Sequence, residues 1–256
     1  MLLTLLLFIT VGPVNRLGIV GAMDVELDLL REDMQVEKVD TIAQRVFYSG
    51  TIHGMGCICV KAGVGKVNAA LTAEILVMKY GVDAVIFTGV AGGINPQLDV
   101  GDIVISKRVI HHDYGQVVPD AFFPWDTVGY AADSFLVDVA ERAGRRAKFE
   151  PIPKKLCKET GRLPRIITGR VVTGDQFIAS EEKRQWIEQT FHADCVEMEG
   201  AAVAQVCAIN DIPFVIIRCL SDLANENADV EFETFVLYAA KNSNLIVKEI
   251  LDLLRK

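Results

Sequence analysis

Long hydrophobic runs are scarce in this chain of 256 residues. The opening stretch Met1–Thr10, MLLTLLLFIT, is apolar but falls short of the roughly 20 residues a spanning helix needs. It has no Lys or Arg before it and no small-residue cleavage site after it, which a secretory signal would carry. Residues 1–14 are therefore set apart from a domain expected over 15–256. A cytoplasmic location is expected, with export as the alternative if residues 1–14 belong to a signal peptide. No other segment is long and apolar enough to cross a membrane. A basic excess is missing too: 26 Lys and Arg face 34 Asp and Glu, a formal net charge of -8. That argues against a duplex nucleic-acid binder, which must neutralise phosphates. Histidines are few, and His53, His111, His112 and His192 show no metal-ligand spacing to the six cysteines. Cys57 and Cys59 are one residue apart, not the two of a zinc or redox motif. No metal is expected, and nothing requires an oxidising compartment. Neither the dinucleotide pattern G-x-G-x-x-G nor a Walker loop is present.

What is present is an apolar fraction of 51% with 23% charge, enough for a self-sufficient core and too little charge for a disordered chain. Strand-like runs at Leu17–Ala22, Cys57–Ala62, Ala84–Gly89, Asp102–Ser106, Ile166–Thr173 and Phe214–Leu220 alternate with helix-like ones at Asp24–Arg31, Lys66–Tyr80, Gly200–Ile209 and Val236–Leu254. In Lys66–Tyr80, residues Val67, Ala70, Leu71, Ile75 and Met78 share one helical face. The run Ala84–Gly89 carries almost no polar residue, as befits a strand covered on both faces. The pattern predicts a single α/β domain with a central mixed, mostly parallel sheet flanked by helices. From Arg142 to Arg165 nine Lys or Arg face two Glu among three prolines. This predicts a solvated surface excursion, with a docking site for an acidic partner as the functional alternative.

Two glycine-rich turns follow strands: Ala62-Gly63-Val64-Gly65-Lys66, and Thr88-Gly89-Val90-Ala91-Gly92-Gly93. Glycines let backbone approach a ligand and leave amides free to point at it. Each turn alone fits a tight turn without a ligand equally well. Three acids stand at comparable strand ends: Glu26, Glu199 and Asp222. In open α/β sheets ligands bind beyond the carboxyl ends of strands, where burial and mutual repulsion raise carboxyl pKa values. Taken singly, each also has an ordinary reading, Glu26 as a solvated first-turn acid and Asp222 as a helix cap.

Together these stretches resemble the purine nucleoside phosphorylase and nucleosidase superfamily, and within it the 5'-methylthioadenosine/S-adenosylhomocysteine nucleosidases. The matching segments are Gly18–Met23 with Glu26, Ala62–Ala70, Thr88–Gly93, Val100–Val104, His112-Asp113, Gly174–Ile178, Val196–Glu199, and Arg218 with Ser221-Asp222. They run collinearly over residues 16–254. The resemblance implies hydrolysis of the bond between adenine N9 and ribose C1'. It implies Asp222 as the acid that protonates the purine at N7, Glu26 as the base that activates water, and Arg218 as a residue that positions that water. Glu199 would hold the ribose hydroxyls. Phe177 would stack on the purine, and Ile178 would contact its edge through the backbone. Met23, Phe232 and Met198 would line the sugar, and Val64 and Ser221 complete the implied substrate contacts. For the apolar members of this set, core packing is the ordinary alternative. This chemistry needs no cofactor, and the resemblance also implies a homodimer.

Phosphorylases of the superfamily need arginines to hold phosphate. Here the turn after the first strand has no Arg before Arg31, and Phe87 precedes the second glycine turn. Hydrolysis is therefore expected. The alternatives are a phosphate-dependent purine nucleoside phosphorylase, and a nucleoside-binding or surface-interaction protein on the same fold. Four departures from the family pattern stand out: Val90 where many members have Ser, Asn225 where Asp is common, the basic excursion Arg142–Arg165, and the segment Tyr114–Val128. In that segment Phe122, Phe123 and Trp125 suit an interface or a lid.

Overall fold

The segment Ala84–Gly93 (β5) is buried along its whole length, as its charge-free sequence requires. The computed structural model describes residues 14–153 and 161–255. The opening apolar stretch up to residue 13 and the middle of the basic excursion, 154–160, lie outside the described residues. β5 lies parallel to β1 (Arg16–Gly21) on one side and to β12 (Phe214–Asp222) on the other. β1 in turn lies parallel to β4 (Met55–Lys61). Beyond β12, β6 (Ile103–His111) pairs antiparallel to it and parallel to β10 (Ile166–Thr173), which pairs parallel with β11 (Cys195–Glu197). β9 (Tyr130–Ala131) borders β6. At the opposite edge an antiparallel ribbon, β2 (Met34–Ile42) and β3 (Arg45–Ile52), extends from β4. The result is a ten-stranded mixed sheet, as the alternating pattern predicted, with a separate hairpin of β7 (Gly115–Val118) and β8 (Ala121–Pro124).

Side chains alternate across the strands and feed two cores. Ile86, Leu17, Ile19 and Ile217 meet Ile246, Val247 and Ile250 of the long helix α6 (Ala228–Leu254). Val85, Phe87 and Val20 meet the opposite layer, built from α2 (Lys66–Tyr80) and α5 (Gly200–Ile209). Each fully buried aliphatic side chain contributes roughly 2 kcal/mol. α3 (Ser134–Arg146) lies against α6. α4 (Glu181–Phe191) buries Ile187 and Phe191 beside Ile178 and Val196.

Several local expectations change. The helix expected over Asp24–Arg31 is a single 3-10 turn, Asp24–Glu26, followed by the short α1 (Asp28–Glu32). The apolar face read on α2 exists but in good part turns outward: Val67 is 79% and Met78 72% exposed. The helix instead buries Ala69, Thr72 and Ala73, small residues that allow a close approach, together with Leu76 and with Tyr80, which stacks on Phe47. The basic excursion is not simply a solvated loop. Residues 142–146 end α3, Arg146 pairs with Glu249 at 3.0 Å, and Arg162 and Arg165 both pair with the fully buried Asp102.

β11 doubles back against the end of β5, with Val196 opposite Gly92 and Cys195 opposite Gly93. The ends of β1, β5, β11 and β12 thereby converge.

Candidate active site

Glu26 reaches its position because β1 runs directly into the 3-10 turn. Its side chain then folds back on the strand end. Glu26 Oε2 accepts the Ala22 and Met23 N–H groups at 2.7 and 2.9 Å, and Oε1 accepts the Val90 N–H at 3.0 Å. The carboxylate thus ties the first strand end to the second glycine turn. Burial raises its pKa above the usual value, against the downward pull of Arg218 and these three amides.

Asp222 ends β12. Its Oδ2 accepts the Ser221 hydroxyl at 2.8 Å and its Oδ1 the Ala224 N–H at 2.9 Å. Burial pushes its pKa up to about 6 in spite of these two donors, helped by Glu231 and Asp229. The side chain has room only because residue 92 is glycine: a β-carbon there would lie 2.7 Å from Asp222 Oδ1.

Glu199 stands where β11 gives way to α5. Its Oε1 accepts the Gly65 N–H at 2.8 Å, across the first glycine turn. Burial, and then the neighbouring Glu197, raise its pKa.

Glu197 is the residue that reading the sequence missed. It is buried, and its carboxylate accepts the Glu199 and Gly200 N–H groups at the N-terminus of α5, where negative charge is favoured. Thr173 and Arg218 also donate to it. The available signal was an acid ending the short strand Cys195–Glu197, after the apolar Cys195 and Val196. A buried carboxylate must find a partner.

That partner is Arg218, which is fully buried beneath the site. Its guanidinium contacts Glu197 directly and lies 3.5 Å from Glu199 and 3.9 Å from Glu26. It also sits over the Phe87 ring, 4.4 Å from the centroid. Burial alone would lower its pKa, but the three carboxylates raise it. Arg218 does not itself line the cleft; it borders two of the cleft carboxylates, Glu26 and Glu199, from the protein side. It donates a hydrogen bond to Glu197 and lies within ion-pair distance of Glu199 and Glu26 from behind.

The cleft itself is lined by Glu26, Glu197, Glu199 and Asp222 on its polar side. Met23, Val64, Phe177, Ile178, Met198 and Phe232 form most of the apolar wall, and Ser221 lies beside Asp222. Every residue expected from the sequence except Arg218 thus faces one space, of about 630 Å³ including its mouth, the size that takes a small molecule. The rings of Phe177 and Phe232 meet edge to face, with centroids 5.8 Å apart. Gln176, Val90 and Gly92 also line the cleft and were not singled out as contacts. Among the described lining residues there is no Lys, Arg or His.

A second network joins the turns that carry these walls. Lys66 Nζ donates to Asp113 Oδ1 at 2.7 Å, the Asp175 N–H to Asp113 Oδ2 at 3.0 Å, and the Lys66 N–H to Asp175 Oδ1 at 2.8 Å. The turn after β4 is thereby locked to the turn that carries Phe177. Beneath it His112 is fully buried, and burial pushes its pKa down to about 4. It is neutral at physiological pH.

An α/β sheet whose strand ends gather four acids around a nucleoside-sized cleft defines a class, and the sequence comparisons name it. The model of the phosphorylase superfamily matches residues 16–252, and the chain belongs to that superfamily. The 5'-methylthioadenosine/S-adenosylhomocysteine nucleosidase of Anoxybacillus flavithermus is 38% identical over 251 residues, covering 94% of this chain and 100% of that protein. Among solved structures, the nucleosidase of the same name from Neisseria meningitidis, in complex with methylthio-immucillin-A, superposes with a TM-score of 0.79 at 34% identity. It covers 93% of this chain and 99% of its own. Futalosine hydrolase of Helicobacter pylori superposes with a TM-score of 0.80 at 28% identity, covering 94% and 98%.

Proposed function

We propose that this protein hydrolyses the N-glycosidic bond of 5'-methylthioadenosine, S-adenosylhomocysteine or a related 5'-modified adenosine, releasing adenine. The observation that carries the reading is a cleft lined by four carboxyl groups with no cation among its described lining residues. Phosphorolysis needs a positive site for a phosphate dianion. Among the described residues the one fully buried guanidinium, Arg218, pairs with Glu26, Glu197 and Glu199. Arg31 is engaged by Asp24 and Asp28. Negative charge instead suits a ribosyl group that becomes cationic as its bond to the base breaks.

In this reading Asp222 gives its proton to purine N7. The C1'–N9 bond breaks with its electron pair passing to the base, and water adds to C1' as Glu26 takes its proton. Burial that raises the Asp222 pKa keeps a proton available for the first step. Glu199 accepts the ribose hydroxyls and faces the developing positive charge. Phe177 and Phe232 stack around the base and sugar, with Met23, Val64, Met198 and Ile178 closing the walls and Ser221 orienting Asp222. Arg218 keeps Glu26 and Glu199 in place.

Residues 15–256 form the catalytic domain. A second copy of the chain covers the outer face of α2 and α5, where Val67, Met78 and Ile209 are each more than 70% exposed beside a groove reaching Tyr114 and Tyr130. A cytoplasmic location fits the five described cysteines, all free and buried. No described helix is long and apolar enough to cross a membrane.

The test incubates pure protein with methylthioadenosine, S-adenosylhomocysteine and futalosine, with and without phosphate. Adenine released from an adenosine substrate at equal rates in both conditions is expected. A requirement for phosphate with a sugar 1-phosphate product, or turnover of futalosine alone, overturns the reading.

A further inference from the structure

The loop between β12 and α6 begins directly after Asp222 and holds one strained residue. Ala224 adopts φ 53°, the left-handed region that non-glycine residues avoid, while its N–H is held by Asp222 Oδ1. Such a conformation persists only where surrounding contacts over-determine it. Two contacts brace it. Asn225 Oδ1 accepts the Asn227 N–H at 2.9 Å at the start of α6. One turn into that helix, Glu231 Oε2 reaches back to accept the N–H of Leu223, the residue after Asp222, at 3.0 Å. The residue after Glu231 is Phe232, which lines the cleft and meets Phe177. One side chain therefore spans from the wall of the cleft to the backbone that carries its acid.

We propose that Glu231 is a positioning residue for this site: its carboxylate ties the first turn of α6 to the loop that presents Asp222, fixing the acid and the Phe232 wall relative to each other. The inference rests on the nucleosidase reading above. The bond has an electrostatic side as well. Glu231 and Asp229 are the carboxylates of α6 that disfavour a charged Asp222, whereas the Ser221 hydroxyl and the Ala224 N–H favour it. Glu26, Glu197 and Glu199 share the cleft with it, and Asp99 faces Glu231 itself. Removing the Glu231 charge therefore makes Asp222 easier to ionise, independently of the hydrogen bond.

Two variants separate these contributions. Glu231→Ala removes acceptor and charge. Glu231→Gln keeps an acceptor for the Leu223 N–H and removes only the charge. With methylthioadenosine, Glu231→Ala is expected to lower kcat/KM by about tenfold, the loss typical of a hydrogen bond to a charged acceptor, with the larger part in kcat. Glu231→Gln is expected to recover most of that loss, while the alkaline limb of its kcat/KM profile moves to lower pH. A helix residue with a merely structural role would lower the melting temperature and leave the pH profile in place. Wild-type kcat, KM and profile in Glu231→Ala overturn the proposal. So does a Glu231→Gln enzyme with an unmoved alkaline limb, even if the alanine variant fails to fold. Wild-type protein that releases no adenine removes the nucleosidase reading instead, which keeps the two failures apart.

Discussion

The guanidinium of Arg218 lies 3.9 Å from Glu26 Oε1, and both groups crowd the spot where a β-carbon on Gly89 would stand. β5 and β12 run side by side with Gly89 opposite Arg218 in register. A long buried cation can pass this strand only where the neighbouring residue has no side chain. Gly89 is thus a steric condition for the charge cluster, although it touches no ligand itself.

Gly89→Ala should cost about 1–3 kcal/mol of stability, as overpacking of a buried site does, and should reduce turnover more than the stability loss explains. Thermal melts and steady-state kinetics on one preparation check this. A stable variant with wild-type turnover contradicts the steric account.

Glu197 is the direct partner of Arg218 and also holds the N-terminus of α5. Its replacement by Ala leaves a buried guanidinium short of its nearest counter-charge, which typically costs about 3–5 kcal/mol. Chemical denaturation should show a loss of that order.

Asp222→Asn should lower kcat by about 10²- to 10⁴-fold, the range for a lost general acid, with the fold retained. Its stability carries a sign. The folded wild-type carboxyl has a raised pKa near 6, so its favourable contribution is complete below the ordinary pKa of 3.8 and fades as pH rises through about 6. The neutral amide has no such dependence. The melting temperature of Asp222→Asn relative to wild type should therefore improve from pH 4 to pH 8, and a constant difference would count against the buried acid.

The same raised pKa governs rate. Proton donation needs the protonated acid, so kcat/KM for the wild-type enzyme should fall on the alkaline side with a midpoint near 6 in the free protein. Glu26 must be ionised to accept a proton, so its own raised pKa brings the acid limb closer and narrows the profile. A flat profile from pH 5 to 9 would remove both groups from these roles.

The outer face of α2 and α5 offers a test of assembly. Ile209→Glu, at a position 72% exposed, should convert a dimer to monomers in sedimentation velocity without unfolding the subunit. A wild-type protein that sediments as a monomer would remove the face from that role.

Sequence reading succeeded where burial is symmetrical. The strands at Leu17, Cys57, Ala84 and Phe214 are buried on both faces and read as apolar runs. It failed where burial is partial. β2 exposes most of Met34–Ile42, so its polar residues mask a strand that is paired mainly through its backbone with β3. α4 buries only Ile187 and Phe191, too few to show a period. On α2 the period was legible and the direction was not, because Ala69 and Ala73 pack inward alongside Leu76 and Tyr80 while Val67 and Met78 face out. The acids at 26, 199 and 222 were visible as strand-end carboxylates, whereas Glu197 looked like one more motif residue until its partners were known.

The order of residues alone determined that this chain is α/β, that three carboxylates follow buried strands, and that glycines stand beside them, since these depend on local pattern and on which residue types tolerate burial. Only the tertiary structure decided which carboxylates share a guanidinium, that Arg218 stands behind the cleft instead of in it, and that Glu231 reaches the Asp222 loop. Those outcomes depend on β5 meeting both β12 and β11, a juxtaposition of segments far apart in the chain that no local pattern encodes.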